Sequence, residues 1–170
     1  IRHALTVGEL ARLWNGERNL KAGLRVVPCS GWVRSMQWPD TGLPFVPTSP
    51  AIRTFASALL YPGLCLFEAT NLSVGRGTDL PFQAVGAPGL PGAELARRFN
   101  GMHLPGVEAE PHDFTPLQRP YAGVCCHGVR LHVMDRRAVR PVRACLHLIA
   151  SAIRVCGTRF QWSRYPTAAN

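Results

Sequence analysis

Pro39, Pro44, Pro47 and Pro50 crowd one short segment, and no other feature limits the possible folds of this chain as much. Proline lacks an amide donor and fixes φ, so "SGWVRSMQWPDTGLPFVPTSP" forms neither a regular helix nor a central strand. Regular structure must therefore lie on either side of a long irregular connection, and such connections inside compact domains tend to carry function. Trp32, Trp38 and Phe45 interrupt the prolines. Their rings need a surface, which leaves two readings: anchors that pin the loop to the body, or flat walls of a cleft that stack on sugars.

Before this loop, "LTVGELARLWNG" reads as a helix. Thr6 and Glu9 have the spacing of a capping box, Leu5 and Leu10 that of a hydrophobic staple, and Asn15-Gly16 provide a stop. "LRVVP", residues 24–28, reads as a short buried strand. After the loop, Ser49-Pro50 predicts a helix start, with Ile52, Phe55, Ala56, Leu59 and Leu60 on its inner side. "LCLFEA" follows as a strand apolar on both faces, as expected inside a sheet covered on both sides. "PFQAVGAP", "VEAEPHDFTP" and "GVCCHGVRLHVMD" read as further strands and "GAELARRFNGM" as a helix. A last helix begins near Pro141, with Val142, Cys145, Leu146, Ile149, Ile153 and Cys156 inward. Alternating elements of this kind predict the α/β class, a mixed sheet with flanking helices. The length of 170 residues suits one domain, and 46% apolar with 17% charged residues fits an ordered chain.

The formal charge of +9 comes almost wholly from arginine, Lys21 being the only lysine. Such charge attracts nucleic acid or an anionic envelope polymer. The arginines are scattered instead of forming a stripe, so a nucleic-acid partner is not expected. No apolar run is long enough to span a membrane. Six cysteines form no C-x-x-C pair; Cys65, Cys145 and Cys156, among apolar neighbours, read as buried thiols. His127 lies on the strand face of Val129, Leu131 and Val133 and reads as packed; His132, five residues on, points the other way, so the two cannot share a metal.

The chemistry concentrates in "CLFEATNLSVGRGTDLPF", residues 65–82. Glu68 ends an apolar run, and Asn71, Ser73, Arg76 and Thr78 follow in a glycine-punctuated segment. Asn71 and Ser73 can bind hydroxyls, while Arg76 between Gly75 and Gly77 can approach a carboxylate or phosphate. Equally, Glu68 can pair with Arg76 and hold a tight turn. The glycines match neither a phosphate loop nor a dinucleotide fingerprint.

These motifs in their order, "RHALTVGELARLWNGE", "TGLPFVPTSP", "YPGLCLFEATNLSVGRGTDLPFQAVGAP" and "GVRLHVMDRRAVRPVRA", resemble the bacterial exo-β-N-acetylmuramidase family, glycoside hydrolases of peptidoglycan recycling. Glu68, Thr70, Asn71, Ser73, Gly75, Arg76, Gly77, Thr78, Pro81 and Phe82 carry the likeness in the central motif. Ala69 and Ala51 stand where a glycine and an asparagine are usual. The resemblance implies the later half of a two-domain protein with a Rossmann-like first domain, its main catalytic glutamate lying upstream of Ile1. It implies release of N-acetylmuramic acid from non-reducing ends of cell-wall fragments, in a periplasmic or secreted setting, with this chain forming one side of the cleft and inactive alone. It implies Glu68 as a second carboxyl, catalytic or positioning. Arg76 becomes the candidate for the lactyl carboxylate, and Trp32, Trp38 and Phe45 for sugar stacking. The partners implied are muramic-acid-containing glycans and the missing N-terminal domain; no metal or organic cofactor is implied. A non-catalytic muramyl-glycan-binding module and a basic nucleic-acid-binding domain are the alternatives.

Overall fold

The computed structural model describes residues 5–163, so His3 and the other residues before Leu5, where the resemblance begins, lie outside the described residues. The chain divides into a first unit ending at Pro44 and a second beginning at Phe45.

In the first unit, helix α1 (Val7–Glu17) starts where the capping box expects it. The Glu9 amide donates to Thr6 Oγ1 at 3.2 Å, and the Thr6 amide donates to Glu9 Oε2 at 2.7 Å. Two of the helix's orphan donors are thereby satisfied reciprocally. The Asn15 side chain exchanges two 3.0 Å bonds with the backbone of Ala22 and reverses the chain after the helix. Residues 24–28 are not a strand, contrary to their apolar pattern. A strand needs a ladder partner, and none is present among the described residues of this unit. None of the described residues 5–44 is buried, and Val7, Trp14, Val27, Trp32 and Val33 are exposed.

The first unit also holds a 3-10 turn at Trp38–Thr41, and the second unit holds the strands and the other α-helices of the described residues. Helix α2 (Phe55–Leu64) begins five residues later than the Ser49-Pro50 start that the sequence suggests. Ser49 and Ile52 form a turn of their own, in which the Ile52 amide donates to Ser49 Oγ at 3.1 Å. Thr54 is the cap in its place, Oγ1 accepting from the Ser57 amide at 3.1 Å. Residues Cys65–Ala69 continue α2 as a 3-10 turn and not as the expected strand. Leu59, Leu60, Gly63, Leu64 and Phe67 are buried at helical spacing, a period that a short all-apolar run does not reveal. Gly63 permits this arrangement: a Cβ there would lie 2.2 Å from the Pro141 carbonyl oxygen, so the helices meet at bare backbone.

Strands β1 (Ala84–Ala87), β2 (Val107–Phe114) and β3 (Cys126–Val133) form an antiparallel sheet in the order β1-β3-β2. With residues 65–69 helical, the described residues hold no parallel strand pair, and every ladder is antiparallel. Pro111 sits on β2, an edge strand, where a missing ladder donor is tolerated. Helix α3 (Gly92–Asn100) packs on β2 and β3, and helix α4 (Pro141–Cys156) packs against α2 and α3. Val85, Val107, Ala109, Val129 and Leu131 meet Leu95, Phe99, Ala144 and Leu148 in one core. The α/β class holds, with helices flanking the sheet.

Two expectations are corrected here. On α4, Leu146 and Ile153 are exposed, and Ala144, Leu148, Ser151 and Ala152 are buried instead, because the helix rolls to fit both α2 and α3. His127 is half-exposed rather than packed: it stands opposite Asp113 in the register, with Nδ1 3.0 Å from its carboxylate. On the other face His132 Nε2 meets Glu110 at 2.6 Å. Cys126, Cys145 and Cys156 are buried, Cys65 half-buried, and Cys29 and Cys125 exposed; all six are free thiols.

Candidate functional site

After Ala69 the chain leaves the helix through a series of local hydrogen bonds. Thr70 Oγ1 donates to the Phe67 carbonyl at 2.7 Å and accepts from the Leu72 amide at 3.1 Å, ending the turn. Ser73 exchanges both backbone bonds with Gly86, which fastens the loop to β1. Its Oγ accepts from the Gly75 amide at 3.3 Å, and Ser73 is fully buried. Thr78 Oγ1 donates to the Gly75 carbonyl at 2.7 Å and accepts from the Leu80 amide at 3.0 Å. The Asn71 side chain is also committed, its Nδ2 donating to the Arg159 carbonyl and its Oδ1 accepting from the Gln161 amide, each at 2.9 Å. Much of the polarity of this segment therefore supplies a loop with the backbone partners that a sheet or helix would otherwise provide.

Glu68 and Arg76 are different, because they join side chain to side chain. Arg76 donates from Nε at 2.8 Å and from Nη2 at 2.6 Å, both to Glu68 Oε1. The carboxylate side chain is only 14% exposed and the arginine 34%. Behind them, Phe82 holds a φ of +57° while fully buried, a conformation rare for an aromatic residue. Its ring meets Tyr61 edge-on at 4.8 Å and lies 5.0 Å from the guanidinium carbon of Arg76. Arg76 is thus gripped by a carboxylate and a ring face.

Arg76 opens onto a cleft of about 810 Å³, walled by the Ser49–Arg53 turn, the Arg76–Asp79 loop and Leu117-Gln118. Gly77 closes the floor: with φ +79°, a Cβ there would fall 2.9 Å from the backbone nitrogen of Leu117. Arg53 reaches into the same space, its Nη1 3.9 Å from Asp79 Oδ1, with side chains 60% and 100% exposed.

Of the residues singled out from sequence, Arg76 and Thr78 line this cleft. Glu68, Asn71 and Ser73 stand behind it and shape the loop. Phe45 is half-buried and meets Phe55 edge-on at 6.4 Å. Trp32 and Trp38 belong to the first unit; both are exposed, and Trp38 Nε1 donates to the Leu43 carbonyl at 3.1 Å. Arg53, Asp79, Leu117 and Gln118 were not foreseen. Arg53 precedes α2 instead of lying within it, and residues 117–118 enter by a contact forty residues removed in the chain. Among the described residues, no three His, Cys, Asp or Glu side chains gather as a metal ion requires.

The second unit is thus an α/β body with an open cleft beside the residue 76–79 loop. The sequence match makes this specific: the chain belongs to the exo-beta-N-acetylmuramidase NamZ family, whose C-terminal model covers residues 59–169 and whose N-terminal model covers residues 1–56. It is 44% identical over 149 residues to the peptidoglycan beta-N-acetylmuramidase NamZ of Bacillus subtilis (strain 168). That match takes in 88% of this chain and 36% of the relative, so the chain spans little more than a third of that protein's length. Two crystal structures of DUF1343 family proteins from Bacteroides fragilis NCTC 9343 share the fold. One has a TM-score of 0.82 at 33% identity, over 91% of this chain and 41% of its own. The other has a TM-score of 0.66 at 28% identity, over 97% of this chain and 44% of its own.

Proposed function

We propose that this chain is part of a peptidoglycan-sugar hydrolase that releases N-acetylmuramic acid from non-reducing ends of cell-wall fragments, and that its second unit supplies one wall of the substrate cleft. The observation that carries this reading is the Arg76–Glu68 pair held rigidly at an open polar cleft. A carboxylate engaged by two charge-assisted bonds suits the fixing of a guanidinium, so Glu68 is given the positioning role. Arg76 and Ser49, which line the cleft, then meet sugar oxygens. The catalytic acid comes from another domain, which also covers the apolar residues that the first unit leaves exposed, Val7, Trp14 and Val27 among them. No helix of the described residues is long and apolar enough to cross a membrane.

The test is a titration of the chain with an N-acetylmuramic-acid-terminated disaccharide, followed by amide NMR. Saturable shifts at Gly77 and Thr78, with a dissociation constant of about 1 mM or tighter, support the reading. Unmoved resonances at those positions refute it. Release of N-acetylmuramic acid from a chromogenic muramide by this chain alone would refute the assignment of the catalytic acid to another domain.

A further inference from the structure

We propose that Arg53 is the residue that selects a carboxylate-bearing sugar in this cleft, and that the exposed Asp79 is its exchangeable counter-ion. The inference rests on the reading above and deepens it: the expected partner of the lactyl carboxylate moves from Arg76 to Arg53.

Two guanidinium groups face the cleft, and their charges are not equally available. That of Arg76 is compensated at 2.6 Å by Glu68, which is largely shielded from water. The pair therefore offers hydrogen-bond donors but little net attraction for a second carboxylate, which would also meet the charge of Glu68. Among the described residues Arg53 has no such partner. Its nearest acid oxygen is 3.9 Å away, beyond hydrogen-bond reach, on a side chain wholly in water. A contact of that kind contributes little, so a better-placed anion displaces it readily.

The backbone beneath Arg53 is nevertheless fixed. On one side the Ile52 amide is bonded to Ser49, and on the other Thr54 caps α2. The result is a planar cation on an anchored stem, beside Ser49 and Thr78, with a weakly held neighbour. N-acetylmuramic acid differs from N-acetylglucosamine by an ether-linked lactic acid. Its carboxylate can take two parallel N–H bonds from one guanidinium. Asp79 then swings into solvent without losing a hydrogen bond.

The experiment compares three ligands, N-acetylmuramic acid, its methyl ester and N-acetylglucosamine, by calorimetry on the full chain and on Arg53→Gln and Asp79→Asn. Both positions are exposed, and circular dichroism verifies that each variant is folded. Arg53→Gln is expected to weaken the acid about tenfold, the discrimination one partly exposed charge-assisted pair supplies, and to leave the ester and N-acetylglucosamine unchanged. Asp79→Asn is expected to tighten the acid a few-fold, opposite in sign to any structural damage. A wild-type chain that prefers the acid over the ester, yet keeps that preference in Arg53→Gln, overturns the role of Arg53. So does wild-type binding that ignores the carboxyl group. Failure of the wild type to bind any of the three sugars overturns the underlying reading of the cleft instead.

Discussion

Removing the Glu68–Arg76 pair one side at a time gives the sharpest test of how the loop is held. Glu68→Ala leaves a guanidinium beside the Phe82 ring with no counter-charge, and Arg76→Ala leaves a nearly buried carboxylate without donors. A wholly exposed pair would couple by about 0–1 kcal/mol, and a well-desolvated charge-assisted bond contributes about 1.5–3 kcal/mol. The exposures of 14% and 34% lie between these cases. Two bonds that end on one oxygen also do not add in full. We therefore expect a coupling of about 1.5 kcal/mol, with each single variant losing about 2 kcal/mol. Arg76→Ala also loses the 5.0 Å contact with Phe82, and the double variant Glu68→Ala/Arg76→Ala cancels that part. The assay is urea unfolding of the four proteins at constant m, or melting, where 2 kcal/mol corresponds to roughly 4–8 °C at this chain length. Raising the salt to 1 M should remove less than half of the coupling, since a partly buried pair is screened weakly. Additivity within about 0.3 kcal/mol would refute the claim that these two groups hold the loop jointly.

Four further outcomes follow from the same structure. Gly77→Ala brings a Cβ to 2.9 Å from Leu117 at a φ of +79°, and should cost about 2 kcal/mol in urea unfolding; a neutral result would show that the 117–118 segment moves freely away. Asn71→Ala removes two bonds to the backbone of residues 159 and 161, costing about 1–2 kcal/mol and speeding hydrogen exchange at the Gln161 amide, whereas unchanged exchange there would contradict the clamp. Burial pushes the Cys145 thiol from 9.0 up to about 12 and the Cys126 thiol to about 11, so iodoacetamide at pH 8 should label Cys29 and Cys125 well before either. The folded chain keeps those protons above pH 9, where the unfolded chain releases them. Stability should therefore fall as pH rises from 9 toward 12, and a flat profile across that range would contradict the burial of these thiols.

Legibility in the sequence followed the range of the interactions involved. The Thr6–Glu9 capping box, the start of α4 at Pro141 and the strand around Ala84–Ala87 were readable because each depends on residues a few positions apart. The strand expected at residues 64–69 failed because the apolar run Leu64–Phe67 is too short to show a period, whereas the close approach of Pro141 to Gly63 belongs to the packed helices. The first unit misled in the same way: "LRVVP" has the composition of a strand and lacks a partner.

At the site, the composition of the loop was evident from the residues themselves. A glycine-punctuated stretch with Glu68, Asn71, Ser73, Arg76 and Thr78 must be polar and tightly turned, since rotational freedom and hydrogen-bonding capacity are properties of the residues. Which of those groups are consumed by the loop and which face outward was decided by tertiary structure. Asn71 meets residue 161, Arg76 meets Glu68 across a turn, and Arg53 reaches the cleft only because α2 begins late. The physical reason is that a side chain's chemistry is intrinsic, whereas its availability depends on what the folded chain places within about 3 Å of it.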